Sequence, residues 1–113
     1  MKVKYLNFVE QWKEDRKNLL PIISKVLSSG KYVGVNSEEV IKFEKKLSRI
    51  CKTNYALTVN SCTDALTLAL HSSGVKKGDE VITVSNSYIA TTGAIMHLKA
   101  IPVFVDVLDD QNI

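Results

Sequence analysis

The sequence predicts an α/β fold in which a mostly parallel sheet is flanked by helices. In the second half of the chain, β-prone apolar runs alternate with helical runs in the order β-α-β-α-β. The connections between these runs are short, as is typical of sheets covered by helices. The chain has 113 residues, of which 45% are hydrophobic, so it is long enough for one modest domain.

The first 30 residues are predicted to form a helical lead-in. Pro21 is expected in the first turn of a helix, where its missing N–H costs little. Gly30 is expected to end that helix. The apolar residues between them are spaced to form one side of the helix: Ile22, Ile23, Val26 and Leu27.

A loop over residues 30–37 (GKYVGVNS) is predicted to precede a second helix. Ser37 is its expected N-cap, and Glu38 and Glu39 suit the positive end of the helix dipole. Apolar residues then follow at helical spacing: Val40, Phe43, Leu47 and Ile50. We therefore divide the chain into a helical lead-in with its loop, residues 1–36, and an α/β domain, residues 37–113.

The elements of the second half follow from their apolar spacing and turn residues. They are a strand at 55–59 (YALTV), a helix at 63–73, a turn at 78–79, a strand at 80–84 (EVITV), a helix at about 88–98 and a strand at 102–107 (PVFVDV). Ligands of α/β sheets bind beyond the carboxyl ends of the strands. Any site in this chain is therefore expected in the loops after the first two strands, residues 60–64 and 85–88.

Composition excludes several classes of function. The net charge of +3 is a mild excess, and the lysines of the first two helices alternate with acids, which indicates solvated helix faces rather than nucleic-acid binding. The two cysteines have no metal-site spacing. No stretch is apolar enough for a signal peptide or a membrane span. We expect a cytoplasmic protein with no metal and with both cysteines reduced.

The loop at 60–64 (NSCTD) allows two interpretations. Ser61 and Asp64 have the spacing of a capping box, so these side chains could serve only to cap the helix. Alternatively, free N–H groups at the helix start, with the hydroxyls of Ser61 and Thr63, hold a phosphate or another anion. Asp64 would repel an anion, so we expect it to cap the helix or to point away.

Tyr88 opens the helix after the second predicted strand, and it also allows two interpretations. It could be an amphipathic aromatic at the boundary of the core. The first interpretation is the more common one for a tyrosine; the second is a ring stacked on a flat heteroaromatic ligand whose phosphate lies at residues 61–63. Spacing alone does not decide between them.

Four segments of the chain resemble, in order and spacing, the DegT/DnrJ/EryC1/StrS family of sugar aminotransferases. They are residues 30–44 (GKYVGVNSEEVIKFE), 55–70 (YALTVNSCTDALTLAL), 78–95 (GDEVITVSNSYIATTGAI) and 102–106 (PVFVD). The segment SNSYIAT looks most like members that aminate dTDP-linked 3-keto-6-deoxy sugars. The resemblance implies the N-terminal part of the large domain of a fold-type-I transferase, truncated at its C-terminus.

The resemblance also implies a cofactor, pyridoxal 5'-phosphate (PLP), and residues that hold it. Cys62 and Thr63 match the positions whose backbone amides, with the threonine hydroxyl, grip the phosphate, and Ser61 precedes them. Tyr88 matches the aromatic ring over the pyridine ring. The loop at 32–34 matches one that approaches the active site. Family members usually carry glycine or another small residue at the position of Cys62, whose amide can still donate.

By the same resemblance, the whole enzyme transfers an amino group, with glutamate as donor, to a nucleotide-linked keto-sugar in amino-sugar biosynthesis, and works as a homodimer. The lysine that binds PLP lies downstream of the matched segments in relatives, so we expect no catalytic residue here and an inactive fragment. Strands built for a larger sheet are expected to keep exposed edges and apolar faces. The alternative is a non-catalytic α/β module that binds a phosphorylated ligand or a partner subunit.

Overall fold

A computed structural model describes residues 5–33 and 37–110. Its elements are α1 (Phe8–Ser29), α2 (Glu38–Cys51), α3 (Cys62–Ser72), β1 (Glu80–Val84), α4 (Ile89–His97) and β2 (Ile101–Val105). They fall into two compact units that divide between Leu57 and Thr58. The division at residue 36 made from the sequence stays a prediction. Within the described ranges, no helix has the length and apolar character needed to cross a membrane.

In the first unit, α1 is longer than the sequence predicts. Pro21 lies inside the helix, so the prediction that it occupies the first turn is wrong. The residues before Pro21 include many good helix formers, which extend the helix back to Phe8 although Pro21 cannot donate to the carbonyl of Lys17. Gly30 ends α1 as predicted, because its φ of 67° is a left-handed conformation and its N–H donates to the Leu27 carbonyl at 3.2 Å.

The start of α2 also confirms a prediction, with one difference. Ser37 is the N-cap, and Glu38 and Glu39 lie in the first turn. The Ser37 side chain makes no capping hydrogen bond; the residue is buried, and its carbonyl accepts from the N–H of Ile41 at 3.1 Å. Ser37 therefore begins the helix through its extended backbone (φ −66°, ψ 122°) rather than through its hydroxyl.

The second unit contains a parallel pair of strands joined across a helix. β1 and β2 pair in a single register, from Glu80 with Ile101 to Val84 with Val105. α4 connects the two strands and packs against both, while α3 packs against α4. This confirms the α/β class with a parallel sheet flanked by helices. The two helices and the last two strands predicted for this region differ from the observed bounds by at most two residues.

The first predicted strand does not form. Residues 55–59 have no strand assignment, and the sheet of the described residues has two strands rather than three. Tyr55 and Leu57 are 89% and 80% exposed. A β-prone run becomes a strand only when a neighbouring strand accepts its hydrogen bonds, and the sheet of the described residues pairs β1 with β2 alone.

The buried residues of the second unit lie in α4, in β1 and at Ala100, just before β2. Ala90, Ala94 and Ile95 are the buried residues of α4. Thr83 is the buried position of β1, whereas Ile82, which points to the opposite face, is 64% exposed. Parallel sheets are normally covered on both faces. Within this unit, α4 is the helix that contacts the strands, so one apolar face remains open.

Candidate functional site

The first turn of α3 is closed by two reciprocal hydrogen bonds between Ser61 and Asp64. Ser61 is the N-cap, in an extended conformation, and its Oγ accepts from the Asp64 N–H at 3.1 Å. The same hydroxyl donates to Asp64 Oδ2 at 2.7 Å. Ser61 is thereby confirmed as the capping residue of the predicted capping-box pair. The carboxylate bonds the hydroxyl of the N-cap residue rather than its backbone N–H, the usual partner in a capping box.

Two backbone donors remain at this end of α3. The first N–H groups of a helix have no acceptor within the helix, and the cap satisfies that of Asp64. The amides of Cys62 and Thr63 have no backbone or side-chain acceptor among the hydrogen bonds of the described residues. Both residues are exposed. Adjacent N–H donors at the positive end of a helix dipole form a donor set that suits a phosphate group.

The thiol of Cys62 is not part of a disulfide. Cys62 and Cys51 are both free thiols and both are exposed. Within residues 5–33 and 37–110, no cluster of His, Cys, Asp and Glu side chains could hold a metal ion.

Tyr88 presents an open aromatic ring at the start of α4. It is the N-cap of that helix, its carbonyl accepts from the Thr91 N–H at 3.0 Å, and the residue is 79% exposed. The ring is therefore not packed into a core, which disfavours its interpretation as a boundary aromatic. Beside it, the hydroxyls of Ser87 and Thr91 lie 3.0 Å apart. This pair is not among the residues predicted from the sequence, although the i,i+4 spacing of two hydroxyl residues could have indicated it.

The residues predicted from the sequence thus lie at the starts of two helices that pack against each other. Ser61, Cys62 and Thr63 begin α3, and Tyr88 begins α4, four residues after the end of β1. The third predicted feature, the loop at 32–34, is only partly described: Tyr32 is 54% and Val33 82% exposed, and Gly34 lies outside the described residues.

A separate charged cleft lies in the first unit. It is lined by Lys25, Ser29, Lys31, Glu38 and Glu39. The hydrogen bond from Lys42, together with the charges of Lys42, Lys31 and Lys25, lowers the pKa of the Glu38 carboxyl below its ordinary value. Every polar group here is on the surface, and salt bridges at such positions contribute little to stability.

Comparison with known proteins connects the α3 and α4 residues to one family. The sequence model of the DegT/DnrJ/EryC1/StrS aminotransferase family matches residues 13–113. The chain is 38% identical over 110 residues to the dTDP-3-amino-3,4,6-trideoxy-alpha-D-glucose transaminase of Streptomyces venezuelae. The aligned residues are 97% of this chain and 28% of that protein. The chain therefore spans little more than a quarter of the length of this curated relative.

Solved structures agree with the fold. DesV of Streptomyces venezuelae, crystallised in complex with a ketimine intermediate, superposes with a TM-score of 0.85 at 38% identity, covering 96% of this chain and 29% of that one. NtdA of Bacillus subtilis, with bound cofactor PMP, gives a TM-score of 0.84 at 31% identity, covering 95% of this chain and 24% of that one. The matched part of these structures includes nearly the whole chain, so the described fold is that of one part, less than a third, of a PLP-dependent aminotransferase.

Proposed function

This chain belongs to the DegT/DnrJ/EryC1/StrS aminotransferase family, and we propose that it supplies the phosphate-holding, ring-facing part of a PLP-dependent sugar aminotransferase. The substrate we propose is a nucleotide-linked keto-sugar, because the relative from Streptomyces venezuelae is a dTDP-amino-sugar transaminase. Glutamate as amino donor, a homodimeric assembly and a cytoplasmic location belong to the same proposal.

The observation that carries this proposal is the pair of free amides at the start of α3. The N–H groups of Cys62 and Thr63 are adjacent, exposed and without an acceptor in the described hydrogen bonds. In our proposal they donate to the oxygens of the cofactor phosphate, and the Thr63 hydroxyl adds a third donor. Hydrogen bonds to a charged group are about twice as strong as those between neutral groups, so a few such donors suffice to anchor the phosphate.

Tyr88 is the residue that we propose to contact the ring of the cofactor. Its exposed ring begins the helix that packs against α3, and aromatic rings stack on flat heteroaromatic groups. We propose that the ring orients the pyridine of the cofactor while α3 holds its phosphate. When bound, PLP supplies the electron sink for amino-group transfer, and the protein contributes binding and orientation.

We assign no catalytic residue to this chain. The proposed roles of Cys62, Thr63 and Tyr88 are binding roles, and the segment shared with the Streptomyces venezuelae relative is 28% of that protein. We propose that these 113 residues bind the cofactor phosphate and do not by themselves transfer an amino group.

Replacing Cys62 with proline tests the phosphate site. Proline removes the N–H, and it is well tolerated at the first helical position; the extended Ser61 before it (φ −154°, ψ 159°) is also compatible with a following proline. Cys62→Ala is the matched control because it removes the thiol and keeps the amide. The probe is pyridoxine 5'-phosphate, which has the phosphate and pyridine ring of PLP without the aldehyde that reacts with lysines.

We expect C62P to weaken binding of this probe by about tenfold or more, since a hydrogen bond to a charged group contributes about 1.5–3 kcal/mol. C62A should bind as the unaltered chain does, and the amide NMR signals of residues 62 and 63 should move on addition of the probe. Equal affinity of C62P and C62A would show that this amide does not hold the phosphate. Binding of inorganic phosphate as tight as that of the probe would instead favour a phosphate-binding module without a cofactor.

A further inference from the structure

We propose that Ser61 and Asp64 are positioning residues: their reciprocal hydrogen bonds fix the first turn of α3, and the phosphate is left to the amides of Cys62 and Thr63. This inference rests on the proposed function. It goes beyond that function by excluding the Ser61 hydroxyl as a direct donor to the phosphate, although the sequence predicts Ser61 as one of the cofactor-binding residues.

The Ser61 hydroxyl has a single proton to donate. That proton is donated to Asp64 Oδ2 at 2.7 Å, and a lone pair of the same oxygen accepts from the Asp64 N–H at 3.1 Å. A phosphate dianion offers acceptors only. Ser61 could donate to it only by releasing the carboxylate, and a hydrogen bond to an ionised acceptor is among the stronger ones in a protein.

The hydrogen-bonded pair of Ser61 and Asp64 also constrains the two residues that lie between them. An N-cap side chain that binds the N–H of the third helical residue fixes the conformation of the two residues between them. Those residues are Cys62 and Thr63, the two with free amides. The cap thereby holds both N–H groups at the open end of α3 before any ligand binds, which lowers the entropic cost of binding.

The negative charge of Asp64 has an effect of its own on phosphate binding. Asp64 lies in the first turn, where a carboxylate is stabilised by the same end of the helix dipole that would attract a phosphate. Its negative charge therefore opposes phosphate binding while its oxygen supports the cap. Replacement by asparagine separates the two effects, because the amide oxygen can still accept the Ser61 proton and the charge is gone.

The experiment compares two neutral variants, D64N and D64A, in binding pyridoxine 5'-phosphate to the full chain. Both remove the charge, so they differ in whether the Ser61 hydroxyl keeps its acceptor. A positioning role predicts that D64A binds about three- to tenfold more weakly than D64N, which corresponds to the net contribution of one hydrogen bond. The matched controls are E39Q and E39A, in the first turn of α2, which should bind the ligand equally.

A direct role for Ser61 makes the opposite prediction. Loss of the Asp64 acceptor would free the hydroxyl for the phosphate, so D64A would then bind as tightly as D64N or more tightly, and that result would overturn the inference. A second measurement needs no variant and so holds even if D64A does not fold. In the unaltered chain, the chemical shift of the Asp64 side-chain carboxyl carbon and the hydrogen-exchange protection of the Asp64 amide should stay unchanged when the ligand binds. A changed chemical shift together with lost protection would overturn the inference too.

These outcomes are distinct from failure of the proposed function. If the unaltered chain does not bind pyridoxine 5'-phosphate, the proposed phosphate site itself is wrong. If it binds, with the amides of Cys62 and Thr63 shifted, the comparison of D64N with D64A decides the role of Ser61 and Asp64.

Discussion

Lys42 lies one helical turn after Glu38 in α2, and its Nζ donates to Glu38 Oε2 at 3.1 Å. This hydrogen bond and the attraction of the lysine charge favour the ionised carboxylate, so the pKa of Glu38 is below its ordinary value. A lowered folded-state pKa stabilises the folded chain at pH values above the ordinary pKa, and this contribution disappears as the pH falls through the folded-state value.

We therefore expect Lys42→Gln to raise the pKa of Glu38 toward its ordinary value, as measured by NMR titration of the side-chain carboxyl carbon. The slope of stability against pH attributable to Glu38 should therefore shrink in the acid range, and the small stabilising contribution that Glu38 makes above its ordinary pKa should be lost. Lys46→Gln removes the same charge one turn further along α2 and serves as the control. A Glu38 titration that is unchanged in K42Q would contradict the ion pair.

At the scale of single residues, sequence spacing predicts hydrogen bonds only when both partners are local. The bond between Ser61 and Asp64 follows from a spacing of three residues and is confirmed. Ser37 is confirmed as an N-cap, but its side chain makes no capping bond, and the orientation of the hydroxyl cannot be predicted from residue spacing. The roles of Cys62, Thr63 and Tyr88 in holding a cofactor stay predictions.

At the scale of elements, two glycines on different helices should respond oppositely to alanine. Gly30 ends α1 with a φ of 67°, where a side chain is disfavoured, and an added Cβ would meet no neighbouring atom. Gly93 lies inside α4, and there too an added Cβ would meet nothing within 4 Å. Neither substitution creates a clash, so backbone preference alone decides the sign.

We expect Gly30→Ala to destabilise the chain by about 1 kcal/mol and Gly93→Ala to stabilise it by about 0.5–1 kcal/mol. Urea unfolding followed by circular dichroism measures both. Each variant is the control for the other, because the chemical change is identical. Shifts of the same sign in both variants would show that the described end of α1 or the interior position in α4 is wrong.

The helices and strands whose bounds were predicted nearly correctly are those whose start or end is marked by a residue next to the element. The helix at α3 and the strand at β1 are bounded by a capping serine and by a turn at Gly78, whose φ is 88°. Residues 55–59 failed as a strand because pairing depends on a partner elsewhere in the fold. Pro21 failed as a helix start because a strong helical sequence on its N-terminal side outweighs the loss of one hydrogen bond.

At the scale of the whole molecule, the open face of the sheet has measurable effects. Ile82 is 64% exposed and Ile101 is 50% exposed, and the register places their side chains on the same face of the sheet, opposite to that of the buried Thr83. This agrees with the expectation of exposed apolar strand faces. An apolar surface of this kind binds hydrophobic dyes and favours association.

We expect Ile82→Lys to reduce the fluorescence of a bound hydrophobic dye and to lower the self-associated fraction in sedimentation velocity. Ser72→Lys adds the same charge at an exposed position at the end of α3, so it controls for net charge. If both lysine variants reduce association equally, charge repulsion rather than the sheet face is responsible, and the prediction is wrong.

The parallel pairing of β1 with β2 also determines when this part of the fold can be completed. All five residue pairs between the strands are joined through the single crossover helix α4, so closing them costs little chain entropy. A ribosome makes the chain from its N-terminus, and domains fold in that direction during synthesis. Once Val105 has left the exit tunnel, the strand pair has all the backbone it needs, so this crossover can be the first part of the sheet to fold on the nascent chain.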